Sequence, residues 1–278
     1  MPSVELGLPD LTDSQRERLL RRIGVSDPPV DHAGLVALMR GWLTNIAFQN
    51  LDLLASRSNH CRPVTGHSAI ERCASGLGGT CHVHALSFVT LLSSMGFEAS
   101  FAAATINKPD DHLLARVDLG GEVYLCDVGN GQPYLAPWSV SQVTEIAHVG
   151  WHMCAEATDR MIRLRRYSPG MTGPKDVYLA SSAPKSYGDF QQIIALHHSR
   201  PDYGPFMTGL RAVRIFDDRM EALRDQQLTT YTADGFTTRV VLDAALSEVL
   251  ADVFMLEGLP IEEALEVWRS VRTLGPSK

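Results

Sequence analysis

The chain has 278 residues, 45% of them hydrophobic and 21% charged, and its 25 basic against 32 acidic side chains leave a net charge of −7. That composition is ordinary for a folded protein and excludes disorder as the default state. A chain of this length buries roughly 75% of its unfolded surface, enough for a large core in two or three subdomains. Without a dense Lys/Arg run it offers no surface for tracking nucleic-acid phosphates.

The first twenty residues carry Glu5, Asp10, Asp13 and Glu17 and no continuous apolar stretch, so no secretory signal is expected. No run of eighteen apolar residues predicts a membrane span. Cys61, Cys73, Cys81, Cys126 and Cys154 make an odd set without C-x-x-C spacing. They predict reduced thiols and a cytoplasmic protein rather than a disulfide scaffold.

In chain order, Thr12 with Gln15 forms a capping box ahead of Leu19, Leu20 and Ile23, and Gly24 stops that helix. A second helix is predicted over residues 32–43, with Leu35, Leu38, Met39 and Trp42 on one face, and a third over 67–74. From Cys81, Ala85, Phe88, Val89, Leu92 and Met95 recur at helical spacing until Gly96. Beyond it, short β-type runs cover 99–106, 113–117, 123–128 and 161–164. The last third has mixed signals, with helices at 189–198, 242–254 and 261–271, and no repeat or Pro/Gly-rich linker divides the chain.

Chemistry concentrates at Cys81. The preceding Gly76-Leu77-Gly78-Gly79-Thr80 places it at a helix N-terminus, where unpaired N–H groups and the positive dipole end favour a thiolate. Glycines there let the backbone approach a ligand and present N–H donors to an oxyanion. A buried structural cysteine is the competing interpretation. A partner follows from register arithmetic in HLLARVDLGGEVYLCDVG, a β-hairpin turning at Gly120-Gly121. An even loop makes opposite residues sum to 241, which sets Leu114 against Asp127 and brings Asp127 onto the face of His112. An odd loop or a bulge would separate them; Gly-Gly suits the even one. If helix and hairpin pack together, Cys81 is a nucleophile, His112 its base and Asp127 the carboxylate that orients the imidazole.

FQNLDLL (48–54), GGTC (78–81), DHLLARVDLGGEVYLCDVGNG (111–131) and Pro133 together resemble the arylamine N-acetyltransferases. The resemblance runs over most of the chain. It implies an α+β fold with a cysteine-protease-like core: a helical bundle over 1–95 carrying the cysteine, an antiparallel β-barrel over 96–188 carrying His and Asp, and an α/β lid over 189–278. It also implies ping-pong transfer of acetyl from acetyl-coenzyme A through a thioester to an arylamine, hydrazine or N-hydroxyarylamine. Cys81, His112 and Asp127 fall on the three triad positions. Gly78, Gly79, Gly129, Gly131 and Arg200 are the candidate donor contacts. No tightly bound cofactor and no metal are expected.

Departures from the family pattern are local. Leu77 replaces the usual Arg, and His82-Val83-His84-Ala85 replaces Phe-Glu-x-Asn. Asn130 replaces an aromatic, and HHSRPDYGPF (197–206) replaces a Ser/Thr-rich segment. His84 and Asn130 are therefore the candidate pocket residues, the first lying one helical turn from Cys81. These changes leave open an amide synthase that takes a longer acyl group, including one borne by an acyl carrier protein. An amide hydrolase using the same triad is another alternative. A non-catalytic metal protein using Cys81, His84 and His112 is a third, although it lacks a second paired-ligand motif. His197-His198 reads as a polar helix end, and His148, His152 and Cys126 carry no catalytic expectation.

Overall fold

The computed structural model describes residues 6–57, 64–158, 161–201 and 203–273; Cys61 lies outside them. Helix α1 (Asp13–Ile23) opens on the Thr12–Gln15 capping box and closes on Gly24 at φ 69°, a left-handed conformation that glycine adopts without strain. Helix α2 is His32–Asn45, with the Asp31 carboxylate accepting from Gly34 N–H. Next come strand β1 (Phe48–Gln49), the short α3 (Leu51–Ala55) and α4 (His67–Ala74).

Helix α5 (Cys81–Ser94) is the centre of the first third, and every residue from Cys81 to Leu92 is buried. A helix that is apolar almost all round has no solvent face and must be enclosed. Thr90, one of its polar positions, is satisfied within the helix, its Oγ1 donating to the Leu86 carbonyl at 2.8 Å. Around it pack α1, α4 and two strands of the next layer.

That layer is an eight-stranded antiparallel sheet. Its strands are β2 (Glu98–Thr105), β3 (His112–Leu119), β4 (Glu122–Cys126), β5 (Trp138–Ser139), β6 (Thr144–His148), β7 (Trp151–Thr158), β8 (Met161–Tyr167) and β9 (Lys175–Ser181). Their spatial order is β5-β4-β3-β2-β9-β8-β7-β6. The end strands β5 and β6 meet where Ser139 N–H donates to Thr144 Oγ1 at 3.1 Å, so the sheet curls into a nearly closed barrel. The hairpin between β3 and β4 pairs Ala115 with Cys126 and Leu119 with Glu122. These pairs are the even register. Strand β4 stops at Cys126, earlier than the pattern suggested, so Asp127 begins a loop.

The last third holds α6 (Gln191–Ser199), β10 (Arg211–Ile215), β11 (Arg219–Arg224), β12 (Gln227–Thr232), β13 (Gly235–Val240), α7 (Leu246–Asp252) and α8 (Ile261–Thr273). The four strands escaped sequence reading, and the helix expected over 242–254 begins only at Leu246. They form a second sheet, β1-β10-β11-β12-β13, whose first strand comes from the N-terminal third. Phe48 pairs with Val213 and Gln49 with Ala212. Ala47, Leu51 and Leu54 join Leu223, Phe254, Leu265 and Trp268 in the core beneath it. The fold is α+β, as expected. Among the described residues no helix is long and apolar enough to cross a membrane.

Candidate active site

Cys81 is the first residue of α5, and Thr80 makes no side-chain cap at that terminus. The Thr80 hydroxyl instead meets His82 Nδ1 at 3.0 Å. The first-turn N–H groups thus keep no side-chain acceptor and stay directed at the cysteine end of the helix. The glycines ahead of it serve backbone packing. A Cβ on Gly78, whose φ is +57°, would stand 1.9 Å from the Ala47 carbonyl oxygen. The Gly79 carbonyl accepts from Gln49 N–H at 3.1 Å. Glycine at 78 therefore lets the loop before Cys81 lie against the chain that becomes β1.

His112 opens β3 and Asp127 follows β4, which places them side by side at the barrel end. His112 Nε2 lies 3.0 Å from both carboxylate oxygens of Asp127. The imidazole is 3% exposed and the carboxylate 0%. Gly129 N–H donates to Asp127 Oδ1 at 3.2 Å, and the Tyr178 ring packs beside His112 with centroids 5.9 Å apart. With Nε2 engaged by Asp127, the other ring nitrogen is left for the Cys81 thiol, which lies close enough to favour the charged imidazole. Burial disfavours a charged imidazole. The charge and hydrogen bond of Asp127 and the adjacent Cys81 nevertheless outweigh it and raise His112 to about 10.

Helix and barrel are locked together at Gly129. A Cβ there would stand 2.7 Å from Cys81 Cα and 3.0 Å from its carbonyl oxygen, so only glycine permits the approach. Gly131, at φ +66°, lies against the Phe48 ring, which a Cβ would meet at 3.1 Å. Asn130 between them is half-buried, and its Nδ2 has no hydrogen-bond partner.

His84 is turned away from solvent and committed on both nitrogens. Nδ1 accepts from Trp42 Nε1 at 3.0 Å, and Nε2–H donates to the Ala47 carbonyl at 3.1 Å. Burial lowers it to about 4, so it is a neutral strut between α2, α5 and β1. Arg200 is exposed at the C-terminus of α6. Among the described residues no group of three or more His, Cys, Asp or Glu could hold a metal ion.

Sequence reading missed the role of α6. Ile193, Ile194 and His197 lie over Cys81 together with Leu113 and Phe206, leaving a cleft of about 10 Å³. That volume admits about one water. His198 is 5% exposed and stacks edge-on against His82, with ring centroids 4.8 Å apart. His198 is therefore interior and His197 half-buried, rather than the two forming a polar helix end. Burial drives His82 well below its ordinary value and lowers His197 and His198. A larger cavity of about 380 Å³ lies beyond Thr80 and His82, reaching Arg72 and His198. Only the folded position of α6, set by long-range packing, reveals these contacts.

A thiol, an imidazole and a buried carboxylate are thus gathered where a helix N-terminus meets a β-barrel, an arrangement whose chemistry suits acyl transfer. The N-acetyltransferase family model matches residues 32–261, and the chain belongs to that family, the arylamine N-acetyltransferases. Similar structures include the arylamine N-acetyltransferase of Mycobacterium abscessus, at 22% identity and TM-score 0.80 over 93% of this chain and 95% of that one. The Nocardia farcinica enzyme is 25% identical, with TM-score 0.77 over 91% and 92%. The Mycobacterium marinum enzyme in complex with CoA is 19% identical, with TM-score 0.80 over 92% and 98%. No curated protein sequence matches significantly.

Proposed function

We propose that this acetyltransferase moves acetyl from acetyl-coenzyme A to an arylamine-type amine through a thioester on Cys81. The observation that carries the reading is the chain of contacts from Cys81 to His112 to the two oxygens of Asp127, closed by the tight approach of Gly129. His112 takes the thiol proton through Nδ1, and buried Asp127 holds the resulting imidazolium. The thiolate attacks the donor carbonyl, N–H groups of the first turn of α5 stabilise the oxyanion, and the C–S bond to coenzyme A breaks as His112 returns its proton, so that coenzyme A leaves as its thiol and the imidazole is neutral again. The Mycobacterium marinum complex with CoA supports the donor.

The cover over Cys81 favours transfer of a small acyl group over longer-chain transfer. Ile193, Ile194 and Phe206 lie over the thiol with a cleft of only about 10 Å³ between them, and residues 189–278 act as the lid that limits bulk solvent at the thioester. The test is intact-protein mass after brief incubation with acetyl-coenzyme A, beside Cys81→Ser. An added acetyl group on the wild type alone, released by aniline as acetanilide, is the expected result. Absence of the adduct while Cys81 still reacts with iodoacetamide would overturn acetyl-coenzyme A as donor.

A further inference from the structure

The cleft over Cys81 admits about one water, so the body of an acceptor must lie outside it. Of the cavities beside it, one of about 490 Å³ shares only Ile194 with the cleft. Another, of about 380 Å³, shares Thr80 and His82, the two neighbours of Cys81 in the chain. This second cavity is therefore the room beside the nucleophile, and Leu53, Val64, Val83 and Pro260 give it an apolar lining.

Most of its polar groups engage one another. Arg72 Nη1 and Gln49 Nε2 both donate to Asp52 Oδ2, Gln49 Oε1 accepts from Leu51 N–H, and the Thr80 hydroxyl meets His82 Nδ1. Two groups stand apart. His198, 5% exposed, has Nδ1 at 2.7 Å from the Ile194 carbonyl, which can only accept, so Nδ1 carries the proton. Burial keeps that ring neutral, and Nε2 is left with a lone pair in the cavity wall. Glu263, exposed at the rim in the first turn of α8, makes no hydrogen bond or ion pair among the described residues. Of the charged side chains lining the cavity, Arg72 and Asp52 pair with each other, so the negative charge of Glu263 is left over.

A lone pair in the wall and a free carboxylate at the rim of an apolar room suit a hydrogen-bond donor that carries positive charge. A primary ammonium supplies both. We infer that this cavity receives the protonated second nitrogen of the acceptor, which makes the preferred acceptors arylamines with an aminoalkyl substituent, an inference that rests on the acyl-transfer reading above. The two nitrogens of such a molecule divide by charge. An alkylamine is protonated at neutral pH and has no lone pair with which to attack a thioester, whereas an arylamine is neutral and keeps its lone pair. The ammonium seated between His198 and Glu263 thus leaves the aryl nitrogen as the end that meets Cys81. His198 and Glu263 select and place the acceptor, and no bond or proton changes hands in the cavity.

Binding is measured first, without chemistry, by titrating phenethylamine, phenethyl alcohol and phenylacetate into wild type, Glu263→Gln and His198→Phe by calorimetry at neutral pH. The probes share one body and differ in carrying a positive charge, a neutral hydroxyl or a negative charge. Phenethylamine is expected to bind roughly 10–100-fold tighter than the alcohol, with phenylacetate weakest. Glu263→Gln should narrow that margin by roughly 2–5-fold, the effect of one exposed charge, and His198→Phe, which keeps a ring against His82, by about 10-fold. Because Glu263 is exposed, its variant tests the site whether or not His198→Phe folds. Turnover follows, with p-(aminoethyl)aniline set against its uncharged isostere p-propylaniline once intact mass has shown acetyl on Cys81. Wild-type kcat/KM should favour the ammonium roughly tenfold, and the ratio should fall toward one in both variants. Equal affinity for amine and alcohol, tighter binding of phenylacetate, or an amine preference that both variants keep would overturn the site. Ammonium binding without kinetic preference would overturn its tie to the acceptor. If acetyl-coenzyme A never loads Cys81, the acyl-transfer reading fails and the acceptor assignment with it, while the calorimetry still decides whether the cavity takes a cation.

Discussion

At the scale of single residues, the site depends on groups whose value lies in what surrounds them. Gly129 makes the point most directly, because a methyl group there must share space with Cys81 Cα at 2.7 Å. Neither backbone can yield without moving the nucleophile or the Asp127 loop. Gly129→Ala is expected to cost about 1–3 kcal/mol in urea unfolding through overpacking. It should also slow Cys81 acetylation by on the order of 10²-fold through misplacement. Wild-type acetylation in this variant would show that the close approach is unnecessary. Asp127→Asn acts by charge rather than volume. Burial is then opposed only by the adjacent Cys81, the charged imidazole loses its main support, and the amide leaves the wrong tautomer facing the thiol. We expect the acetylation rate to fall by roughly 10³–10⁴-fold with the near-ultraviolet circular dichroism unchanged.

At the scale of elements, legibility followed locality. The β3-β4 register is set by period-two alternation and a Gly-Gly turn, both local, and arithmetic on residue numbers gave the pairs found. The start of α5 was equally readable from its glycines. Strands β10 to β13 were not, because β13 is exposed along nearly its whole length and β12 is only partly buried, so neither alternates strongly. His84 read as a pocket residue because helical spacing alone places it near Cys81. The fact that decides its position, that α5 is buried on every side, belongs to the assembled fold. The burial of His198 and half-burial of His197 were invisible for the same reason. Asn50 shows how distant elements are held once assembled. It is 1% exposed, its Nδ2 donates to the carbonyls of Phe206 and Gly209, both at 2.7 Å, and its Oδ1 accepts from Arg211 N–H at 2.8 Å. It thereby ties the start of α3 to the segment that carries Phe206 over the cleft. Asn50→Ala strands three backbone groups, which should cost about 2–4 kcal/mol. Hydrogen exchange should then quicken first across 206–211, and uniform quickening across the whole chain would refute this local tie.

At the scale of the whole molecule, buried histidines of opposite character set how stability responds to pH. Burial holds His84 at about 4 and His82 well below its ordinary value, and lowers His197 and His198. Each binds a proton more readily when unfolded, so stability from these groups is fully present above about 6.5 and declines as pH falls toward their folded values. His112 runs the other way. Its folded value of about 10 means that its contribution is full below about 6.5 and is lost as pH rises through 10. The two trends cross near pH 6.5, where stability to urea should peak. Further down, Glu122, lowered by its bonds to Ser139 and Ser141, adds to the acid loss below its ordinary value of 4.5. The acid limb can be assigned by His84→Gln, since glutamine can accept from Trp42 and donate to Ala47 without titrating. Between pH 6.5 and 4 this variant should lose less stability than wild type by about 3 kcal/mol, the worth of the shift from 6.5 to about 4. An equally steep acid limb in the variant would show that His84 is not held neutral by its burial. A peak displaced above pH 8 would show that the His112–Asp127 pair does not keep its proton in the folded protein.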